Sequence, residues 1–152
     1  MGRIYTVKLD KVSSTGPITL IQLKSGANSV CYINRVDWGQ TASTTSAMVN
    51  VQLVRKSAAA TVTSFTPLLS DAGDGAAKAV GGTAATGISA TVEGTNGDIL
   101  ENWTFNVLSS NLYLPPIDQR HKVGGGGIIG VILVTAVAYT VTCNLEFEEV
   151  GG

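Results

Sequence analysis

The chain carries little charge. Aspartate, glutamate, lysine and arginine make up 14% of its 152 residues, against about 25% in ordinary soluble domains. Ten basic and eleven acidic residues leave a net charge of −1, so no broad field points to nucleic acid or to an acidic membrane as a partner. The polar surface is supplied by Thr, Ser, Asn and Gly. This composition predicts a surface that is largely covered by copies of the chain or by a larger assembly.

Residues that perform chemistry are equally scarce. His121 is the only histidine, and its charged neighbours are typical of a solvated loop; a zinc site or a nucleophile–base pair needs more. Cys31 and Cys143 fall within predicted strands, which favours buried free thiols, although neighbouring strands would allow them to pair. We therefore expect no enzyme activity, no cofactor, no metal ion and no small-molecule substrate.

The longest run of glycine, at residues 124–127, leads into Ile128-Ile129-Gly130. The run formally matches G-x-G-x-x-G, but a dinucleotide site needs a strand before the motif and a helix after it. Here prolines and polar residues precede it and β-branched residues follow. The longest apolar stretch, 127–141, is also too short for a transmembrane helix. We interpret the run as a flexible lead into a strand.

Alternation of apolar and polar residues recurs along the chain. It is clearest near the end, where Val141, Cys143, Leu145 and Phe147 share one face. Strands are predicted at residues 3–9, 18–24, 30–38, 47–56, 88–92, 103–108, 128–134 and 141–149. No sustained helical period separates them. The pattern predicts one all-β domain over residues 1–152, a jelly-roll-like antiparallel β-sandwich of about eight strands.

Residues 57–87 interrupt the strand pattern. They consist mainly of Ala, Gly, Thr, Ser and Asp, a composition that buries little apolar area. We therefore expect one long loop excursion, with at most a short helical turn at residues 76–80.

The segment 128–134 is apolar on both faces, so something must cover each side of it. Because this predicts more apolar surface than one small sandwich should expose, we expect the chain to self-associate. The oligomer interface is predicted at Ile129, Val131, Ile132 and Leu133.

The N-terminal segment also alternates, so it is suited to add as a strand to the open edge of a partner. The 57–87 excursion lacks large side chains and would supply little binding energy. We therefore expect contact with a shell or a neighbouring subunit through Arg3, Ile4, Tyr5 and Val7.

Six segments that span most of the chain carry a resemblance to a known family. They are INRVDWG at 33–39, VQLVRKS at 51–57, TPL at 66–68, DAGD at 71–74, the stretch from FNV at 105–107 to LPP at 114–116, and LEFEEVGG at 145–152. Together they resemble small structural proteins of tailed phages and prophages. The resemblance implies a jelly-roll-like capsid decoration (cement) protein, trimeric on the outer shell, and it carries no catalytic residues.

The leading hypothesis is a virion structural protein that binds and stabilises the lattice of the major capsid protein as a homotrimer. It would be made in the host cytoplasm and located on the outer capsid surface. Two alternatives stay open, because fold alone does not separate them: a tail or fibre component that binds a host receptor, and a carbohydrate-binding jelly-roll module. A sugar-binding face needs exposed aromatic rings, for which Trp38, Tyr113 and Tyr139 are the candidates.

Overall fold

The computed structural model describes residues 2–14, 17–41, 45–135 and 139–152. These residues form twelve strands and no helix, so none of them belongs to a helix able to cross a membrane. The strands are β1 (Arg3–Ser14), β2 (Ile18–Lys24), β3 (Ser29–Gln40), β4 (Met48–Ala58), β5 (Thr61–Ser64), β6 (Leu68–Leu69), β7 (Gly87–Val92), β8 (Thr95–Asn106), β9 (Asn111–Tyr113), β10 (Lys122–Gly124), β11 (Ile128–Leu133) and β12 (Tyr139–Gly151).

The strands form two antiparallel sheets that pack as a β-sandwich, and the all-β prediction is confirmed. Sheet A has the order β10-β3-β12-β1-β6, with β9 paired beside β3, and sheet B has the order β5-β7-β2-β11-β4-β8. The eight predicted strands correspond to the longer elements. Strands β5, β6, β9 and β10 contain only two to four residues each and were not predicted.

The main core lies between the two inner faces, where alternation places one apolar residue in two. Tyr5 of β1 stacks on Phe147 of β12 with ring centroids 5.6 Å apart, and both are fully buried. Leu53 and Val131 face them from the cross-paired strands β4 and β11 of sheet B. Full burial of each such side chain contributes about 1.5–3 kcal/mol.

This core corrects the expectation for the N-terminal segment. Tyr5 and Val7 are fully buried inside the chain, so neither is available to a shell or a neighbour. Strand β1 is already paired with β12 along its length and with β6 at Tyr5 and Thr6. Only Arg3 and Ile4 of the predicted contact residues are exposed.

Residues 57–87 are not one structureless excursion. Strand β4 continues to Ala58, β5 and β6 follow, and no helix forms at residues 76–80. Ala77 and Ala79 are buried in the main core, because small side chains allow the backbone to pack closely against the sandwich. A Cβ added at Gly87 would lie 2.4 Å from the carbonyl oxygen of Thr63, so only glycine permits the close pairing of β7 with β5.

Part of this region covers the outer face of sheet B. Strand β4 ends at Ala58 and β5 begins at Thr61, although β11, β2 and β7 lie between them in the sheet order. The backbone N–H of Ala60 donates to Gln22 Oε1 at 2.8 Å, and Gln22 Nε2 donates to the carbonyl of Ala85 at 2.7 Å. Gln22 is fully buried. We call residues 59–62 and 85–86 the roof.

The roof accounts for the two-sided apolarity of β11. Ile129, Val131 and Leu133 point into the main core, at 0–1% exposure, and Ile132 is 4% exposed on the opposite face. All four are therefore covered within one chain and do not form the surface that the predicted oligomer interface requires. Around β11 the outer face of sheet B is covered by the same polypeptide that forms the sheet.

Candidate interaction surface

The two cysteines are free and buried, as their strand positions predicted. Burial, and secondarily the charge of Glu149, raise the pKa of the Cys31 thiol to about 12. Burial likewise raises the pKa of Cys143, with a smaller contribution from Asp37. Because the thiolate is the nucleophile, both thiols are unreactive at neutral pH.

Glu149 is a buried carboxylate with a structural role. It accepts hydrogen bonds from the backbone N–H groups of Lys78 at 2.8 Å and Ala79 at 2.9 Å, and from the hydroxyl of Ser29 at 3.4 Å. Charge-assisted bonds of this kind are about twice as strong as neutral ones. The carboxylate thereby fastens the segment after β6 to one end of sheet A.

His121 lies in a loop, as predicted, but its side chain is partly buried and paired rather than free in solvent. Its Nε2 lies 2.9 Å from Glu101 Oε1, and its ring stacks on Tyr113 with centroids 6.4 Å apart. The Tyr113 hydroxyl donates to the same carboxylate oxygen at 3.1 Å. Burial, and secondarily the charge of Glu101, raise the pKa of Tyr113 to about 12. Within the described ranges, no group of three or more His, Cys, Asp or Glu side chains is placed to hold a metal ion.

A row of aromatic rings closes the open side of the sandwich. Trp38 of β3 contacts Trp103 of β8 at 4.7 Å, and Trp103 contacts Tyr113 of β9 at 5.0 Å between ring centroids. The row thus joins an edge of sheet B to an edge of sheet A. The ring planes are tilted by 36° and 50° in these two contacts. Of the candidate sugar-binding rings, Trp38 is buried at 3% exposure and Tyr113 is partly buried. The side chain of Tyr139 lies outside the described residues.

The outer face of sheet A contains a groove of about 370 Å³. One wall is Ile4 of β1, and the other is the segment that connects β9 to β10. We call this feature the outer groove; it is lined by Gly2, Ile4, Asn34, Leu114, Pro115, Ile117, Arg120 and Glu148. Leu114 is 65% exposed and Ile117 is 78% exposed. Large apolar side chains held in water at one place are typical of interaction sites.

The wall of the outer groove is fixed by Arg120. Its Nη1 donates to Glu148 Oε2 at 2.7 Å and to Asn34 Oδ1 at 2.6 Å, and its Nε donates to the carbonyl of Ile117 at 3.0 Å. The guanidinium also lies over the Tyr32 ring, 5.1 Å from its centroid. The exposed leucine and isoleucine are therefore presented on an anchored backbone rather than on a free loop.

Sequence reasoning identified only part of this surface. Ile4 was predicted from strand alternation, and Arg3 beside it pairs with Asp74 at 3.7 Å on the surface. Leu114 and Ile117 were not assigned, because they flank two prolines and follow no strand or helix period. The available signal was the presence of two large apolar residues in a stretch with no core-forming pattern.

Comparison with protein-family models, with curated proteins and with solved structures finds no match to this chain.

Proposed function

We propose that this protein is a non-enzymatic structural protein of a tailed-phage virion, a jelly-roll-like capsid decoration protein that seats on the major capsid protein through the outer groove. The observation that carries the proposal is the anchored, exposed apolar wall of Leu114 and Ile117 on a chain with little surface charge. The resemblance of the chain to small phage structural proteins supplies the identity of the partner.

The chemistry of the outer groove favours an extended protein segment as the occupant. Apolar side chains of such a segment would pack against Ile4, Leu114 and Ile117, which form the exposed rim. Glu148 and Asn34 already accept hydrogen bonds from Arg120, so they make the groove polar below its apolar rim and hold its wall in place. A preformed groove lowers the ordering cost of binding, which suits a protein that attaches to many equivalent positions on a lattice.

The proposed homotrimer rests on the low charge and on exposed apolar side chains away from β11. Examples are Leu68 at 51% and Leu69 at 41% exposure on β6. Light scattering at micromolar concentration tests the oligomeric state separately from particle binding. A monomer under these conditions would contradict the trimer and leave the groove proposal to be judged by its own experiment.

Binding through the outer groove is tested by adding the Ile117→Asp variant to particles that carry none of this protein. The copies bound are counted after the particles are sedimented. We expect a loss of at least about tenfold in affinity, because a charge replaces a large apolar contact on the wall of the groove. Ile99→Asp is the matched control, since Ile99 is 56% exposed on β8 of the other sheet. Equal binding by Ile117→Asp and wild type would exclude the outer groove as the site that binds the capsid.

Copy number in purified particles separates the shell from the tail. On the order of hundreds of copies per particle are expected for decoration of a symmetric lattice. A handful of copies would instead favour the alternative of a tail or fibre component.

A further inference from the structure

Lys56 of β4 is a buried lysine whose ammonium group lies beside an asparagine and a glutamate. Its side chain is 0% exposed, and Nζ lies 2.9 Å from Asn96 Oδ1 and 3.7 Å from Glu93 Oε2. An isolated charge in such a place is strongly disfavoured. Burial lowers the pKa of Lys56, and the charge of Glu93 opposes that effect only in part. A neutral, nucleophilic amine is therefore easier to form here than at the surface.

The β4–β8 pairing fixes Lys56 and Asn96, and separate hydrogen bonds fix Glu93. Lys56 and Asn96 are directly opposed in the β4–β8 ladder, and register shifts flank the pair on both sides. Opposed residues place their side chains on the same face of a sheet. Gly130 on β11 leaves room for the lysine stem, since a Cβ there would lie 2.8 Å from Lys56 Cε. Glu93, between β7 and β8, is held by the backbone N–H of Thr19 at 2.6 Å and by the Thr19 hydroxyl.

We propose that Lys56 and Asn96 join in an intramolecular isopeptide bond, with Glu93 as the group that transfers the protons. The arrangement places an amine, a carboxamide and a carboxylate within contact distance in a site from which the lysine side chain has no access to water. Holding reactants in such a geometry raises their effective concentration by many orders of magnitude. The inference goes beyond the proposed function and does not depend on it.

The reaction is redox-neutral and needs no co-reactant. The Lys56 ammonium first loses one proton, through Glu93, to water. Neutral Nζ then attacks Cγ of Asn96, and one carbon–nitrogen bond forms. Glu93 takes a second proton from Nζ and delivers it to the former amide nitrogen of Asn96. The old carbon–nitrogen bond breaks, ammonia leaves, and the Glu93 carboxylate is regenerated.

The product would be a covalent link between neighbouring strands of sheet B. It would close residues 56–96 into a loop, and cross-links of this kind restrict the unfolded chain. We expect the linked protein to melt roughly 10 °C higher than an unlinked variant.

Intact-mass spectrometry of the purified 15.7 kDa chain tests the bond directly. We expect a mass lower than that of the sequence by about 17 Da, the mass of one ammonia. Trypsin should leave the segments 56–78 and 79–120 joined as one branched peptide, because Lys56 and Asn96 lie in different tryptic segments. An unshifted mass in the wild-type protein overturns the proposal without reference to any variant.

Two variants assign the roles. Glu93→Gln removes the proton-transferring group, and Lys56→Arg removes the nucleophile while keeping the positive charge; both should show the full sequence mass. Asp98→Asn is the control for Glu93→Gln, since it removes an exposed carboxylate from the neighbouring strand β8 and should retain the mass loss. Far-ultraviolet circular dichroism shows whether each variant keeps its sheets. A linked product in Glu93→Gln at the wild-type rate would overturn the role of Glu93.

One other reaction at this position removes the same mass. Asn96 is followed by Gly97, whose small size permits its backbone nitrogen to close a succinimide on Asn96 with loss of ammonia. A succinimide would persist in Lys56→Arg, would join no tryptic segments and would be cleaved by hydroxylamine. Any of these three results in place of the branched peptide would overturn the isopeptide bond.

Discussion

The outer faces of the two sheets differ sharply, although both belong to the same sandwich. On sheet A the outward side chains are accessible to solvent and form partly exposed ion pairs, such as Arg35 Nη2 with Glu146 Oε2 at 3.6 Å. On sheet B the outward side chains of Val54 and Gln22 are fully buried beneath the chain's own roof. The outer face of sheet A is open to solvent, whereas sheet B is covered on both faces around β2 and β11.

The difference shows what two-sided apolarity in a strand does and does not predict. It predicts that both faces are covered, and it does not say which molecule provides the cover. Here the cover is a segment rich in alanine and threonine, anchored by hydrogen bonds to and from Gln22 rather than by large side chains. Apolar residues are exposed on both sheets, such as Ile4 on β1 of sheet A and Ile99 on β8 of sheet B, so exposure of single apolar residues does not distinguish the two sheets.

Removing the anchor of the roof should have the largest effect. Gln22→Leu leaves the backbone N–H of Ala60 and the carbonyl of Ala85 without their partner in a buried place. We expect the free energy of unfolding in urea to fall by about 3 kcal/mol. Gln52→Leu is the matched control, because Gln52 bonds to an exposed Asn102, and it should change stability by less than about 0.5 kcal/mol. Equal effects of the two changes would show that the roof contributes no specific stability.

Trimming the apolar layer under the roof should follow in size. Val54→Ala removes two methyl groups from a fully buried side chain and should cost about 2 kcal/mol in urea unfolding. Val150→Ala makes the same change on β12 of sheet A, where the side chain is 42% exposed, and should cost less than about 0.5 kcal/mol. If Val150→Ala proved the more damaging of the pair, the contrast between the two outer faces would be reversed.

Alkaline pH tests the inner face of sheet A, which carries both thiols. The folded pKa values of Cys31 and Cys143 lie above their ordinary value of 9.0. Their contribution to stability is therefore complete below pH 9 and is lost as the pH rises toward the folded values. We expect a loss of about 1 kcal/mol per thiol between pH 8 and pH 10. A Cys31→Ala, Cys143→Ala double variant should show a flatter pH dependence, and an unchanged slope would contradict the assignment.

Removing one charge from the outer face of sheet A should have the smallest effect. Glu146→Gln breaks the pair with Arg35, whose side chains are 28% and 42% exposed. Exposed pairs contribute little, so we expect a change below about 0.5 kcal/mol that vanishes in high salt. A loss above about 1 kcal/mol would show that the outer face of sheet A is as tightly built as that of sheet B.

The sequence predicts the strands in which apolar and polar residues alternate over many positions. Val141, Cys143 and Leu145 alternate over enough residues to fix both the strand and its buried face. Strands of two to four residues have no room for a period, so β6 and β9 were not predicted. Ala77 and Ala79 resemble loop residues by composition, yet they are buried because the backbone itself is brought close to the core.

The sites depend on register, which spacing along the chain does not reveal. Lys56 and Asn96 are opposed in the β4–β8 ladder between two register shifts, and Glu93 reaches them from the turn between β7 and β8, where Thr19 holds it. Gly130 was predicted only as a residue of the strand 128–134, whereas in the structure it also leaves space for the Lys56 stem. The outer groove forms because the segment after β9 folds back over sheet A. Residues 114–120 contain no sequence pattern that predicts this path.

The position of β12 in sheet A has a kinetic consequence. It lies between β1 and β3, and the N–H of Gly2 bonds to Glu148 across 146 residues of chain. Sheet A therefore cannot assemble until residues 139–151 have been made, and such distant pairing is slow, on the order of milliseconds to seconds. Until then β1 and β3 present unpaired edges to other nascent chains. Refolding yield is thus decided by a competition between internal strand insertion and intermolecular pairing, and it should decrease as protein concentration rises.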